Sequence, residues 1–212
     1  MAGIIEVKDQ GKLRIYDADN SHYVDIVVPS SVTANRTITI PDASFTVPTA
    51  DTVGGITVAD HWRLTTSFTG DANPIASNVE RVDTGGFGGI GSAMTFSSGS
   101  FTFPTTGKYL ISAQGRFSLS VDSRYLQISI QTTVDNGSNY VEATNASSAA
   151  KDIDTNNLSI SSGMCQHLFD VTNVSTHKVR FLINNQAGSD VTTVGSTSLT
   201  YTGFTFIRLG DT

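Results

Sequence analysis

The sequence has little charge and almost no cysteine. Charged residues make up 15% of its 212 residues and leave a formal net charge of −6, whereas an ordinary soluble domain has roughly 25% charged residues. Nucleic-acid binding needs a basic stripe, and the sequence has none, so we expect no nucleic-acid partner. The single cysteine, Cys165, excludes an internal disulfide. Stability must therefore come from burial and association.

Long apolar runs are also missing. The longest stretches are a few residues, such as Ile26-Val27-Val28, whereas a membrane-spanning helix needs about 20. We therefore expect no membrane partner. The first residues, Met1 to Glu6, lack the charged region and the apolar run of a signal peptide, which predicts that the protein is made in a cytoplasm.

Serine and threonine are abundant instead, at about a quarter of the chain, and they favour strands and turns over helices. No stretch keeps a 3.6-residue period over three turns. Strands are predicted at 61–68, 93–96, 100–103, 108–119, 124–134, 159–171, 177–184 and 199–209. This series predicts an all-β sandwich or jelly roll over residues 56–212.

The first 55 residues form shorter extended pieces. Strands are predicted over 11–16 and 22–28, with a turn at 17–21, and a further alternating piece follows at 36–40. A segment this small buries too little surface to be stable alone, so it must pack on another surface. We therefore predict a β-rich N-terminal arm, residues 1–55, in front of the larger domain.

Two pieces of the larger domain resemble the C1q and tumour-necrosis-factor (TNF) jelly rolls. The first, 99–111, reads GSFTFPTTGKYLI, and the second, 199–206, reads LTYTGFTF. The resemblance covers roughly residues 60–210 and implies a homotrimer with aromatic side chains around its axis. The alternative, that these aromatics fill a monomeric core, stays open. The residues assigned to trimer contacts or core are Phe101, Phe103, Gly107, Tyr109, Phe117, Tyr201, Gly203, Phe204 and Phe206.

The N-terminal arm resembles a module of phage virion proteins, found in tail fibres, head fibres and capsid decoration proteins. The pieces that carry this resemblance are GKLRIYDADNSHYV at 11–24 and TITIPD at 37–42. The resemblance implies attachment to the virion, with the major capsid protein or another virion protein as partner. The residues assigned to attachment are Leu13, Ile15, Tyr16, Tyr23, Ile38 and Ile40.

No motif meets the requirements of a catalytic or metal site. The stretch that begins at Asp17 starts like a calcium loop but lacks the glycine and glutamate of such a loop, which favours a simple turn. Cys165 and His167 share one face of a predicted strand, yet no orienting group or further ligand is close in sequence. We predict no catalytic residue, metal ligand or cofactor. Calcium is the one open alternative, with Asp122, Asp135, Asp152 and Asp154 as conceivable ligands.

These observations predict a non-enzymatic, trimeric protein of the phage virion surface. A capsid decoration (cement) protein or short head fibre is favoured, because the chain has no shaft and no site for degrading a host surface. The alternative is a tail-fibre or adhesin module that binds a host receptor or surface glycan. Its binding loops would then be 138–140 and 152–157. A hydrolase is a third, weaker hypothesis.

Overall fold

The computed structural model describes residues 13–27, 33–34, 37, 39, 55–152 and 157–212. The chain divides into two units, Met1–Thr49 and Ala50–Thr212. The boundary predicted from the sequence lies a few residues further along the chain, and the roles assigned to the two parts stay predictions. Within the described ranges, no helix has the length and hydropathy needed to span a bilayer.

The described part of the first unit contains an antiparallel hairpin of β1 (Leu13–Tyr16) and β2 (Tyr23–Ile26). The turn between them is closed by Asp17, whose carboxylate accepts hydrogen bonds from the Ser21 and His22 amides at 2.9 and 3.1 Å. Asn20 adopts a left-handed φ of 58°, which asparagine tolerates in turns. The predicted strands and turn are therefore confirmed. The predicted piece at 36–40, with Ile38 and Ile40, lies outside the described residues.

The second unit contains twelve further strands among its described residues, and a single 3₁₀ turn, Gly188–Asp190, before β13. The strands are β3 (Ala59–Leu64), β4 (Phe68–Thr69), β5 (Val79–Arg81), β6 (Thr95–Ser97), β7 (Ser100–Thr102), β8 (Gly107–Leu119), β9 (Ser123–Thr133), β10 (Val141–Ala150), β11 (Ser159–Val171), β12 (Lys178–Asn185), β13 (Val191–Thr193) and β14 (Gly203–Gly210).

These strands form two antiparallel sheets. The five-stranded sheet has the order β10-β9-β12-β7-β6. In the seven-stranded sheet, β8 pairs with β11 along one edge and with β14 and β13 along the other, and β14 continues to β3 and β5. The many crossovers between the sheets make this a jelly roll, and the predicted all-β class is confirmed.

The structure splits one predicted strand in two and contains three strands, β5, β10 and β13, that the sequence did not predict. The strand predicted over 61–68 is two strands, β3 and β4, which pair with different neighbours. β10 was not predicted at all, because its sequence VEATNASSAA is rich in small and polar residues with low strand propensity. It forms through pairing with β9, and its register shifts twice along that pairing.

The interior between the sheets is aromatic. Phe101 on β7 contacts Phe204 and Phe206 on β14, with ring centroids 5.9 and 5.0 Å apart, and it also contacts Phe181 on β12 at 5.6 Å. Phe181 and Phe204 stack face to face at 4.0 Å. Because these pairs join the two sheets, the cluster couples both sheets into one core.

Nearly all residues assigned to trimer contacts or core are buried inside the single chain. Phe101, Phe103, Tyr109, Phe117, Phe204 and Phe206 are each 4% exposed or less. These side chains are therefore core residues, and the picture in which Tyr109, Phe117 and Phe204 become buried only around a trimer axis is wrong. Tyr201 alone among the assigned aromatics is half-buried.

Two of the residues assigned to trimer contacts or core are glycines, and at both positions another backbone segment lies too close for a Cβ atom. Gly107 has a φ of +141°, and a Cβ there would lie 2.6 Å from the Gly210 carbonyl oxygen. A Cβ at Gly203 would lie 2.8 Å from the Trp62 carbonyl oxygen. Both positions lie where β8 or β14 begins, so glycine is needed for strand packing there.

Candidate functional site

The outward face of the seven-stranded sheet carries a row of uncovered apolar side chains. On β11, Ile160, Met164 and Leu168 are 51%, 61% and 64% exposed. The row continues onto β8 and β14 through half-buried Leu110 and Ile207 and exposed Leu209. We call this set the apolar strip: Leu110, Ile160, Met164, Leu168, Ile207 and Leu209.

The pairing register brings the Leu168 end of the strip together across neighbouring strands, whereas polar Ser162 and Gln166 separate Ile160, Met164 and Leu168 along β11. Leu168 lies opposite Leu110, and Leu110 lies opposite Ile207, so the three side chains form one line across three neighbouring strands. Side chains on a strand alternate between faces. The neighbours Cys165 and Phe169 accordingly point into the core, while the strip points away from it. β11 thus has apolar side chains on both faces, and a strand with one face in water does not require those on the outward face.

β11 is also an edge strand. It pairs with β8, and among the described residues no strand pairs with its other edge. A long, apolar edge strand is a template for association with another chain unless something covers it. β10 of the other sheet lies alongside β11, where the Ser161 hydroxyl donates to the Ser148 hydroxyl at 2.8 Å. The feature that favours contact with a further protein surface is therefore the exposed apolar area of the strip.

Beside Met164 of the strip lies a polar cleft of about 370 Å³, bounded by β8, β11 and the 200–201 turn. The guanidinium of Arg116 lies 4.4 Å from the centroid of the Tyr201 ring. Its Nε atom is shielded from solvent without a hydrogen-bond partner among the described residues. Gln114 donates to the Thr200 carbonyl at 3.0 Å. The cleft thus holds one cationic donor with unused capacity for an acceptor.

The Leu168 end of the strip borders an apolar hollow of about 380 Å³. Leu168 and Leu209 form its walls, and Lys108 and Asp170 lie opposite each other at its rim. A hollow of this kind can receive an apolar side chain, while the paired charges at the rim stay in water.

A second uncovered apolar face lies on the N-terminal hairpin. Leu13 pairs with Ile26, and Ile15 pairs with Val24, so all four side chains share one face. Each of them is more than 50% exposed. We call this set the hairpin face.

The opposite side of the hairpin is held by polar and aromatic contacts. Arg14 makes two hydrogen bonds to Asp25, at 2.8 and 2.9 Å, and its guanidinium lies 3.5 Å from the Tyr23 ring centroid. Tyr16 packs edge-on against Tyr23 at 5.7 Å. The residues assigned to attachment therefore do not share one face. Leu13 and Ile15 belong to the hairpin face, and Tyr16 and Tyr23 lie behind it.

The geometry of Cys165 and His167 is that of a core pair. They share the inward face of β11, as predicted, but the Cys165 thiol donates to the Ile128 carbonyl at 3.6 Å. Burial raises the pKa of this thiol to about 11, so it stays protonated and a poor nucleophile at neutral pH. Burial also lowers the pKa of His167, and its ring packs on Phe169 with centroids 6.1 Å apart.

The acidic residues considered for calcium are spread over the domain. Asp122 precedes β9 and Asp135 follows it, so the whole of an eleven-residue strand separates them. Asp122 accepts a hydrogen bond from the Asp152 amide at 2.7 Å, and Asp154 lies outside the described residues. Within the described ranges, no three histidine, cysteine or acidic side chains come together as a metal site would need.

Buried charged residues on β3 hold the 80–84 segment in place. Arg63, which is fully buried, donates to Glu80 at 2.8 Å and to the Thr84 hydroxyl at 2.7 Å, and it also contacts Asp83. Asp60 accepts hydrogen bonds from the Arg81 guanidinium and the Trp62 indole at 2.6 and 2.8 Å. Because each buried charge has an opposite charge beside it, these groups fix the 80–84 segment against β3.

Sequence reasoning missed the members of the apolar strip. A signal for them was present, because the strand predicted over 159–171 has apolar residues at both odd and even positions. That pattern predicts burial on both faces, whereas the structure leaves Ile160, Met164 and Leu168 exposed on one face of β11.

Comparison with known proteins identifies the fold. No family model matches the sequence, and no curated protein matches it. A solved structure of Eiger TNF from S. frugiperda resembles the chain with a TM-score of 0.53 and 13% sequence identity, covering 74% of this chain and 96% of that one. A crystal structure of murine APRIL has a TM-score of 0.49 and 12% identity, covering 72% of this chain and 98% of that one. The larger domain therefore has a TNF-like jelly-roll fold.

Proposed function

We propose that the protein is a non-enzymatic homotrimer on the surface of a phage virion, acting as a capsid decoration protein or short head fibre. In this proposal the jelly rolls associate through the apolar strip, and the N-terminal hairpin attaches to the particle through the hairpin face. The observation that carries the proposal is the apolar strip, because it is an uncovered apolar face on an edge strand.

Several physical arguments favour a copy of the same chain as the partner of the strip. Three copies around one axis would bring their three strips together along that axis and close the assembly, so no strip would be left exposed. Burial of a leucine or methionine side chain contributes about 1.5–3 kcal/mol, and each chain offers several. The resemblance to C1q and TNF jelly rolls, together with the TNF-like fold, supports three as the number of copies.

The virion part of the proposal rests on the N-terminal arm. Its sequence resembles a module of phage virion proteins, and the hairpin face has four exposed apolar side chains available for a protein surface. The expected partner is the major capsid protein or a neighbouring virion protein. A trimer would match a threefold position of a capsid, where three weak contacts reinforce one another.

Native mass tests the self-association. We expect a species of about three times 22.5 kDa for the wild-type protein, and Leu168→Asp should give a monomer because it places a charge in the apolar interface. Val141→Asp is the matched control, since Val141 is similarly exposed, at 66%, but lies on β10 in the other sheet. A monomeric wild type, or a Leu168→Asp protein of unchanged mass, would contradict the proposal. Repeating the measurement with a chelator tests for a calcium requirement.

Co-sedimentation with particles that lack the protein tests the attachment. Wild-type protein should sediment with the particles, and Ile15→Asp should not, because it charges the hairpin face. The trimer mass of Ile15→Asp should stay unchanged, which separates attachment from self-association. Binding that survives this substitution, or that depends only on the jelly roll, would contradict the assigned role of the arm.

A further inference from the structure

A polar groove of about 450 Å³ lies on the outward face of the five-stranded sheet. Its floor is the start of β12, and its walls are the β6–β7 turn and the segment between β9 and β10. Ligand sites for small molecules have volumes of about 300–1,000 Å³, so the groove is of a suitable size. The residues that line it include Ser98, Ser100, Thr102, Asn136, Tyr140, Lys178 and Arg180.

Two cations lie side by side in this groove. Lys178 and Arg180 alternate along β12 with the buried residues Val179 and Phe181, so both point outward on the same side. Among the described residues, neither has a carboxylate within salt-bridge distance. In a chain with a net charge of −6, two neighbouring cations without acidic partners form a local anion-binding surface.

Arg180 is held in place before any ligand binds. Its Nε donates to Gln131 at 2.7 Å, and its guanidinium lies 3.9 Å from the centroid of the Tyr140 ring. Tyr140 in turn shares a hydrogen bond of 2.7 Å with the Ser100 hydroxyl. With Nε and one guanidinium face occupied, the terminal nitrogens are left as donors for a ligand in a fixed geometry.

The wall that carries Tyr140 is also fixed. Asp135 accepts hydrogen bonds from the Asn139 amide at 2.9 Å and from the Thr133 hydroxyl at 2.6 Å. The Asp135 carboxylate is therefore hydrogen-bonded to residues of its own turn. Because the groove is built from a rigid strand and a tied turn, little ordering is required when a ligand enters.

We propose that this groove binds an acidic saccharide. The carboxylate of the sugar would lie between Lys178 and Arg180, with its hydroxyl groups near Ser98, Ser100 and Asn136. The lining favours this class because hydroxyl and amide groups both donate and accept hydrogen bonds, as sugar hydroxyls do. A nucleic acid would need a longer basic stripe than two cations.

The proposal goes beyond the virion function and does not depend on it. The groove is formed within one chain, and it lies on the sheet opposite to the apolar strip, so self-association through the strip leaves it open. A trimer would carry three such grooves and bind a repeating acidic polysaccharide with avidity. Loss of trimerisation would therefore weaken binding to a polymer but not to a short oligosaccharide.

Titration calorimetry with tetragalacturonate, a short oligouronate, tests the proposal. We expect the wild-type protein to bind it and Lys178→Ala and Arg180→Gln each to weaken binding by about tenfold or more, as loss of a charged contact does. Lys151→Ala is the matched control, because Lys151 is an exposed lysine outside the groove. Maltotetraose, a neutral sugar of the same length, should not bind. The thermal midpoint of each variant shows whether it is folded. Lys178→Ala should be folded, because the Lys178 side chain makes no hydrogen bond or ion pair with the part of the chain that the structure describes.

Four results would overturn the proposal. The first is no binding of tetragalacturonate by wild-type protein, and the second is equal binding by the groove variants. Equal affinity for maltotetraose would remove the role of the carboxylate. Equal, Lys178-dependent affinity for polyaspartate or single-stranded DNA would assign the groove to an acidic peptide or a nucleic acid instead.

Discussion

The two outward faces of the jelly roll differ in how much apolar surface they expose. Both belong to antiparallel strands around one core, and both carry hydrogen-bonded polar side chains, such as Gln166 and Ser112 beside the apolar strip. The face of β11, β8 and β14 has apolar side chains where water would be expected, among them Met164 and Leu168 at 61% and 64% exposure. The face of β12, β9 and β7 has polar side chains that bond one another, such as Arg180 to Gln131 and Gln127 to Ser129.

This difference shows that the fold alone does not decide what its surfaces do. In both sheets every second residue of a strand points into the core and is mostly apolar. The residues between them point outward, and their chemistry is free to differ between the sheets. An apolar outward face gains stability only when another surface covers it, whereas a polar face is satisfied by itself or by a polar ligand. The first suits a copy of the chain, and the second suits a small hydrophilic partner.

The largest effect is expected from Phe101→Ala, which removes the ring that joins both sheets. Phe101 is 1% exposed and contacts Phe181, Phe204 and Phe206, so truncation should cost about 3–5 kcal/mol of unfolding free energy. Urea unfolding measures this loss of free energy. Because both faces depend on the same core, self-association and saccharide binding should be lost together. Phe96→Ala, at a partly buried position on β6, should cost less. A loss of under about 1 kcal/mol at Phe101 would show that the sheets are joined in another way.

A moderate effect is expected from Gly107→Ala, at the start of the strand that carries the centre of the apolar strip. The new Cβ would lie 2.6 Å from the Gly210 oxygen at a φ of +141°, which should cost about 1–3 kcal/mol. Self-association should weaken more than saccharide binding, because the β8–β14 pairing is disturbed on the strip side. Gly85→Ala is the control, since a Cβ there meets nothing within 4 Å. Equal stability of the two variants would contradict the prediction.

The smallest effect is expected from acid on the turn beside the polar groove. Hydrogen bonds from Thr133 and Asn139 lower the pKa of Asp135 from 3.8 to about 2. A lowered pKa means that the charged form stabilises the folded state above the unfolded pKa, and that this contribution is lost as pH falls from about 4 towards 2. Unfolding free energy measured over this interval should fall less steeply in Asp135→Asn than in the wild type. If the unfolding free energies of the two proteins fell in parallel with pH, the stability of the turn would not depend on the charge of Asp135.

Much of the fold could be predicted from local pattern. The strands from 108 to 119 and from 159 to 171 were predicted within a residue of β8 and β11. Alternating apolar residues mark the first of them, and turn signals on either side delimit both. β10 could not be predicted, because VEATNASSAA lacks apolar alternation and becomes a strand only by pairing with β9. Tertiary hydrogen bonding overrode its weak local preference.

The candidate surfaces were harder to predict than the core. Aromatics such as Tyr109 and Phe204 were singled out, but their sequence pattern does not distinguish a residue buried between sheets from one buried between chains. Leu168 and Met164 went unnoticed, because a strand that is apolar on both sides reads simply as buried. Likewise, Lys178 and Tyr140 are 38 residues apart in the sequence, and only the fold brings them to one groove.

The sequence by itself determined the all-β class, the positions of strands such as β8 and β11 and the apolar residues that need burial, because residue propensity and turn chemistry act over a few neighbouring residues. The tertiary structure alone decided which side of each strand faces outward, which strand lies at an edge and which polar groups meet. Those outcomes depend on pairing register between distant strands, since a shift of one residue moves every side chain of a strand to the opposite face.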